Sequence, residues 1–288
     1  MTPPGSVQHH PSTTTIPGRP GGATRGGGTL RVLQLTDTHL TADPHGSLLG
    51  QRTRNTFEAV LELAKASFWP PDLILLTGDL VHDEVPETYR YLDRRMSNLG
   101  VPFLAIPGNH DRPDLLAEIL DSDGDRNVRQ VSLGGWQLIL LDSTIAGEDG
   151  GRLSQSQLEA VDQGLASQSG PALVCLHHQP VPVGSAWLDA IGVCNGNELL
   201  SVLSRHERVR GILWGHIHQE YCAYRQGLCL LGSPSTCVQF QPGSHSFALD
   251  DRTPGYRWLL LHADGQIETG ISRLAAYPDP LEIDAGGY

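Results

Sequence analysis

Apolar and polar positions along this chain repeat with two periods, one typical of buried strands and the other of amphipathic helices. Residues 30–36 and 73–77 are rich in Leu, Ile and Val and predict strands, the second of them buried. Residues 54–66 instead place Phe57, Val60, Leu61 and Ala64 on one helical face. The same patterns predict further strands at 101–106, 172–176 and 211–214, and further helices at 86–99, 113–120, 154–166 and 198–206. This alternation predicts an α/β fold in which helices cover a sheet.

The pattern changes twice, and both changes add strands. Residues 128–133 and 136–142 flank Gly134 and Gly135, which is typical of a two-residue hairpin turn. After residue 214 the chain becomes strand-like throughout, with predicted strands at 220–225, 227–231, 256–262 and 267–274. So many strands require two sheets, with helices on the outer faces.

The first 28 residues differ from the rest in composition. They contain seven Gly and five Pro and no acidic residue. Such a segment buries too little apolar surface to offset its ordering entropy. We therefore expect a disordered leader at 1–28, a folded domain at 29–275 and a C-terminal tail at 276–288.

Composition and charge exclude several classes of partner. The 288 residues include 20 basic and 32 acidic side chains, a formal charge of −12. This excess of acid disfavours binding to nucleic acid or to an anionic membrane surface. The five cysteines are odd in number and form no C-x-x-C pair, which indicates free thiols and a cytoplasmic location. The chain also contains 13 histidines, an unusual number of side chains that can bind metal ions or transfer protons.

Candidate chemistry gathers where predicted strands end. Ligands of open α/β sheets bind at the carboxyl ends of strands, so side chains that follow different strands can share one crevice. Residues two apart in an extended segment point the same way, so Asp37 with His39, and His216 with His218, are expected to form paired ligand arms. The residues at these ends are Asp37, His39, Asp79, Asn109, His110, Asp111, His177, His178, His216 and His218.

The donor atoms of this set are nitrogen and oxygen. Without thiolate they favour Mn²⁺, Fe²⁺ or Zn²⁺ over Ca²⁺ or Mg²⁺. Seven ligands (two Asp, one Asn and four His) are too many for one tetrahedral site and suit two metals that share a carboxylate. Histidines outside these clusters, His82 among them, are expected to be surface or structural residues.

The ordered series Asp-x-His, Gly-Asp, Gly-Asn-His-Asp, His and Gly-His-x-His resembles the signature of the calcineurin-like metallophosphoesterases. Residues 33–40, 194–199, 234–240 and 261–265 also resemble the bacterial class III 3′,5′-cyclic-AMP phosphodiesterases of that family. The resemblance covers about residues 30–288. It implies a four-layer α/β/β/α sandwich, with two central mixed sheets flanked by helices.

Carried over residue by residue, the resemblance implies a binuclear centre of two Fe²⁺ or Mn²⁺ ions, with Zn²⁺ as an alternative. Asp79 would bridge them. His178 would lie behind the ligands or face the substrate, and His110 would be the catalytic histidine. Asp111 would orient His110, or alternatively cap the helix near residue 113. The first metal would be held by Asp37, His39, Asp79 and His218, the second by Asp79, Asn109, His177 and His216, and the substrate phosphate by His39, Asp79, Asn109, His110 and His218.

The implied reaction is hydrolysis of cyclic AMP to 5′-AMP by a hydroxide that bridges the two metals. The segments 187–189, 195–197 and 235–238 are candidates for the nucleoside side of the pocket. The implied partner is a small cyclic nucleotide, with no nucleic acid or membrane, and the chain is expected to be a monomer or homodimer. Alternatives are a dimetal phosphoesterase for another phosphodiester or a phosphomonoester, and a non-catalytic scaffold.

Overall fold

The structure, a computed structural model, describes residues 13–16, 28–120 and 128–287. Its helices are α1 (Thr53–Ser67), α2 (Pro86–Ser97), α3 (Pro113–Ile119), α4 (Gln155–Ser167), α5 (Ala186–Asp189) and α6 (Gly196–Leu203). The strands are β1 (Thr13–Ile16), β2 (Leu30–Leu35), β3 (Ser47–Leu48), β4 (Gln51–Arg52), β5 (Leu73–Thr77), β6 (Phe103–Ile106), β7 (Val128–Leu133), β8 (Trp136–Leu141), β9 (Ala172–Cys175), β10 (Val209–Trp214), β11 (Tyr221–Arg225), β12 (Leu228–Gly232), β13 (Gln239–Phe240), β14 (Leu249–Asp250), β15 (Gly255–Leu261) and β16 (Ile267–Arg273).

Two mixed six-stranded sheets form the centre of the molecule. The first has the order β1-β16-β15-β2-β5-β6, in which β2, β5 and β6 are parallel. The second has the order β11-β12-β10-β9-β8-β7, in which the inner strands β12, β10, β9 and β8 are parallel. The pairs β3–β4 and β13–β14 are short ladders outside these sheets.

Strand alternation sorts apolar side chains into three layers. Val32 of β2 and Leu138 of β8 lie in the cluster between the two sheets. Their neighbour Leu33 belongs instead to the cluster beneath α1 and α2, and Ile139 to the cluster beneath α4 and α6. The four-layer α/β/β/α sandwich predicted above is therefore confirmed.

One buried polar side chain links the two sheets near the carboxyl ends of their strands. Gln34 of β2 is fully buried, and its Nε2 donates to Thr77 Oγ1 at 2.7 Å and to the carbonyl of Trp214 in β10 at 3.2 Å. Because an unpaired buried amide is costly, these bonds favour one alignment of the strand ends.

The predicted helices begin close to where the structure begins them. In α4, Ser154 accepts from the backbone N–H of Gln157, whose side chain returns a bond to Ser154 N. This reciprocal capping box fixes the first turn. The short ladders and α5 were not predicted, because two to four residues carry too few positions to show a period.

The two ends of the chain contact different parts of the domain. Strand β1 lies inside the predicted leader and pairs antiparallel with β16. Residues 1–12 and 17–27 lie outside the described residues, so their disorder stays a prediction. In the tail, Leu281 and Ala285 pack against the cluster beneath α4 and α6, and Glu282 N donates to Leu49 O at 3.1 Å. In the described ranges no helix is long and apolar enough to cross a membrane.

Replacement of Leu138 tests the layer between the sheets. We expect Leu138→Ala to lower the free energy of unfolding by about 2–5 kcal/mol, because it leaves a cavity at a fully buried site. Val131 is the cross-strand partner of Leu138 but is only partly buried, so Val131→Ala is the matched control with a smaller loss. Urea unfolding followed by circular dichroism measures both, and equal losses would contradict this assignment of the core.

Candidate metal centre

Four predicted ligands meet where β2, β5 and β10 end. His39 Nε2 lies 3.8 Å from Asp79 Oδ2, and His218 Nε2 lies 3.4 Å from both Asp37 Oδ1 and His39 Nε2. The ligand atoms of all four lie within 4.8 Å of one another, and all four residues are buried. This group has the size and donor chemistry of a first-row metal site.

A second group lies beside the first and shares Asp79 with it. His177 Nε2 lies 3.3 Å from Asp79 Oδ2 and 3.2 Å from Asn109 Oδ1. The His216 ring is 5.1 Å from that of His177, centroid to centroid. Asp79 Oδ2 therefore stands between the His39 side and the His177 side, the position that a bridging carboxylate requires.

Five of the seven predicted ligands have left-handed backbone conformations. The φ angles are 53° at Asp37, 43° at His39, 50° at Asp79, 64° at His216 and 47° at His218. The expectation that Asp37 and His39, or His216 and His218, converge because their segments are extended is therefore wrong. Left-handed residues bend the chain within the loop. Such conformations cost about 1–3 kcal/mol each and persist only where the surrounding structure stabilises them.

Glycines let these loops pack directly on the ligands. Gly78 has φ +93°, and a Cβ there would clash with the His177 ring. At Gly215 a Cβ would clash with Thr36 Oγ1 and come within 2.8 Å of Asp37 Oδ2. A side chain at either position would push the loop away from these residues, so both positions require glycine.

Carbonyl groups orient two of the histidines. His177 Nδ1–H donates to Thr77 O at 2.9 Å, and His218 Nδ1–H donates to Val238 O at 2.8 Å. These bonds fix the tautomer and leave Nε2 directed at the carboxylates, as is usual behind a metal site.

The adjacent histidines His177 and His178 differ in their contacts. His178 uses both ring nitrogens elsewhere, with Nδ1 2.9 Å from Ser143 Oγ and Nε2 3.1 Å from Asp149 O. Burial and the neighbouring His177 lower the pKa of His178 to about 3, so it is neutral. Burial opposes a charge on His177, but Asp79 and Asp37 raise its pKa to about 9. A proton there provides positive charge that a bound cation would replace. These contacts favour His177 as the ligand.

The residues fit two divalent cations. Among the described residues, Asp37 Oδ2 and His216 Nε2 are buried without a hydrogen-bond partner, which is costly unless another group binds them. Burial lowers the pKa of His39 and of His216 well below the usual value, which keeps both in the neutral form that ligates metals.

His110 and Asp111 follow Asn109 but contact different parts of the site. His110 N donates to Asp79 Oδ1 at 2.9 Å, and its half-buried ring lies 5.0 Å from that of His39. The Asp111 carboxylate instead accepts from Leu80 N, Val81 N, Gly108 N and the hydroxyl of Tyr89. Burial and the Asp79 charge raise its pKa to about 7. These bonds join the loops that follow β5 and β6, and they favour loop positioning over orientation of His110 or capping of α3.

His82 is a residue that sequence reasoning missed. Its ring lies 5.7 Å from that of His39 and 5.6 Å from that of His110. A ligand atom of each of these three histidines lies within 4.8 Å of the others. It lies three residues after Asp79 in no motif, so only the fold could place it here.

Comparison with known proteins identifies the family. Residues 30–220 match the model of the calcineurin-like phosphoesterases, and the chain belongs to this family. It is 41% identical over 258 residues to the 3′,5′-cyclic adenosine monophosphate phosphodiesterase CpdA of Pseudomonas aeruginosa, covering 89% of this chain and 94% of that protein. The identity to the protein of the same name from Escherichia coli K12 is also 41%, over 90% of this chain and 95% of that protein.

Solved structures support the fold. A dimetal phosphatase of Danio rerio superposes with a TM-score of 0.59 at 17% identity, covering 85% of this chain and 96% of that chain. The purple acid phosphatase PPD1 of yellow lupin superposes with a TM-score of 0.64 at 13% identity, covering 89% of this chain and 53% of that chain.

The two adjacent histidines can be separated by metal content. We expect His177→Gln to bind one equivalent of Mn²⁺ less than the unaltered protein, because His177 Nε2 faces the shared carboxylate. The control His178→Gln should keep the full content, since both ring nitrogens of His178 are already bonded. Elemental analysis after dialysis measures both, and loss of metal from His178→Gln alone would reverse the assignment.

Asp111 can be tested as a loop brace. Asp111→Asn keeps the shape but turns one amide N–H₂ toward backbone N–H donors, so we expect a loss of about 1–3 kcal/mol in unfolding free energy. Asp114→Asn is the control, because Asp114 is exposed and should change stability by less than about 0.5 kcal/mol. Urea midpoints compare the two, and equal stability would contradict the brace.

Proposed function

We propose that this protein hydrolyses the phosphodiester of 3′,5′-cyclic AMP to 5′-AMP at a two-metal centre. The observation that carries the proposal is the position of Asp79 Oδ2 between the His39 and His177 nitrogens. The relatives that are 41% identical over about nine-tenths of the chain carry the name of this activity.

The proposed ligands are Asp37, His39, Asp79 and His218 for one ion, and Asp79, Asn109, His177 and His216 for the other. When bound, two divalent ions supply positive charge for the phosphate and make water nucleophilic at neutral pH. The nitrogen and oxygen donors suit Fe²⁺ or Mn²⁺, with Zn²⁺ as an alternative.

The charge of the centre suits an anionic phosphate ester. Two divalent ions would bring +4, and the carboxylates Asp37 and Asp79 bring −2, which would leave +2 to attract the phosphate. The net charge of the whole chain is −12, so attraction is local rather than global. This favours a small nucleotide over a nucleic acid, which requires an extended basic surface.

His110 is the proposed proton donor. The bond from its backbone N to Asp79 fixes the residue beside the shared carboxylate, and the ring stays half-exposed next to His39. From there it can contact a phosphate oxygen and protonate the 3′ oxygen as it leaves. Together with His39, Asp79, Asn109 and His218, it would form the phosphate subsite.

One chain contains every residue of this site, so we propose that a single chain is the catalytic unit, whether alone or within a homodimer. The cysteines of the described residues are free thiols, three of them buried. They are compatible with a reducing cytoplasm, which we propose as its location.

The activity test is turnover of cyclic AMP after loading with Mn²⁺ or Fe²⁺, with 5′-AMP identified by chromatography. We expect His110→Ala to lower kcat by about 10²–10⁴-fold, the usual contribution of a positioned acid, while metal content is unchanged. His245→Ala, at an exposed loop position, is the control and should keep full activity.

A purified, metal-loaded protein that hydrolyses an aryl phosphodiester or a phosphomonoester but not cyclic AMP would overturn the proposed substrate while leaving the dimetal chemistry intact. Full cyclic-AMP turnover in His110→Ala would overturn the role of His110.

A further inference from the structure

A cleft of ≈ 170 Å³ opens beside the metal centre and has two chemically different sides. The polar side consists of Asn109, His110 and His216. The opposite side is apolar and consists of Leu188 and Ile191 with three aromatic residues, Trp187, Phe240 and Phe247. A ligand held by the polar side would place whatever is attached to its phosphate against the aromatic side.

The three aromatic rings form one packed wall. Trp187 and Phe240 meet edge to face at 5.0 Å, Trp187 and Phe247 at 5.5 Å, and Phe240 and Phe247 at 5.5 Å. Phe240 is only 2% exposed and forms the back of the wall, whereas Trp187 and Phe247 are partly exposed. The last two therefore offer the surface that a ligand can contact.

The wall is held rigidly by bonds between the segments that carry it. Ala186 N donates to Ser244 O at 3.0 Å, which ties α5 to the loop between β13 and β14. Ser185 Oγ accepts from Gly243 N at 3.0 Å and from Gln219 Nε2 at 3.3 Å. Trp187 and Phe247 are therefore positioned before a ligand arrives, which reduces the entropy lost on binding.

The wall is also joined to the metal centre. The rings of Phe240 and His218 stack in parallel, with centroids 4.1 Å apart and an interplanar angle of 11°. The aromatic wall therefore packs directly against a proposed metal ligand.

This inference rests on the proposed function: we infer that the aromatic wall binds the base of the nucleotide, and that Trp187 and Phe247 make the site prefer purines. In a 3′,5′-cyclic nucleotide only the sugar separates phosphate from base, so a base must lie close to the metals. The larger purine surface gains more from stacking than a pyrimidine does.

One polar feature of the cleft agrees with a base that carries an amino group. Asp149 is an exposed carboxylate of the cleft, which can accept from an amino group of the base. Its negative charge also disfavours a second phosphate at that position, so the cleft suits a mononucleotide.

The test compares Phe247→Ala with the unaltered protein on cyclic AMP, cyclic CMP and an abasic ribose 3′,5′-cyclic phosphate. Loss of one stacking ring is expected to raise KM for cyclic AMP by about 5- to 150-fold. The value of kcat and turnover of the abasic substrate should not change, because the phosphate subsite is untouched. Phe103→Ala, a partly buried phenylalanine on β6 outside the cleft, is the matched control and should leave KM unchanged.

Phe247→Leu keeps most of the buried volume and replaces the alanine variant if that one does not fold. An unchanged KM for cyclic AMP, or an equal rise for the abasic substrate, would overturn the base-binding role. A KM for cyclic CMP as low as that for cyclic AMP in the unaltered protein would overturn the purine preference.

A binding readout separates this inference from the proposed function. Adenosine carries no phosphate, and its stacking on Trp187 should quench tryptophan fluorescence in a saturable way in the metal-loaded protein, but not in Trp187→Phe. Saturable quenching without turnover of any cyclic nucleotide would overturn the proposed reaction and support the base site. Turnover of cyclic AMP without quenching by adenosine, and with no effect of Phe247→Ala, would support the proposed reaction and overturn the base site.

Discussion

The structure depends on burying two aspartate carboxylates, Asp37 and Asp79, in a site walled by histidines. Both are at most 1% exposed, and a buried charge is costly unless it is paired and hydrogen-bonded. Each has one backbone donor, His216 N for Asp37 and His110 N for Asp79. His177 Nε2 lies near the other oxygen of Asp79, whereas Asp37 Oδ2 has no hydrogen-bond partner among the described residues. Divalent cations would supply the positive charge that these carboxylates lack. The residues whose burial destabilises the fold are therefore the ones proposed to hold the metals.

The loops that carry these carboxylates are held by an extension of the sheet. Beyond the end of β2 and β5, Asp37 N donates to Gly78 O, His39 N to Asp79 O and Leu40 N to Leu80 O. Thr38 Oγ1 adds a bond to Leu80 O at 2.6 Å. These parallel bonds sustain the left-handed residues that the loops contain. The backbone hydrogen bonds between these two loops, together with the bonds to the Asp111 carboxylate, thus offset the strain of the left-handed residues.

Sequence patterns predicted the order of the layers and the residues that gather at the candidate metal centre, because both leave local signatures. Leu73–Thr77 is apolar in its first four residues and was predicted with the bounds that the structure shows. The backbone at Asp37 and His39 was not predictable in the same way, since left-handed conformations at Asp and His have no periodic signal. His82 and Phe247 were missed for a related reason. Each is a single residue in a loop, and its neighbours at the site come from distant parts of the chain.

The last segment of the chain also has a practical consequence. Gly287 lines the cleft beside the aromatic wall, and Glu282 is bonded to Leu49 near α1. An affinity tag or a fluorescent fusion attached to the chain just after Gly287 would therefore start beside the mouth of the cleft and compete with a ligand for the space next to the aromatic wall.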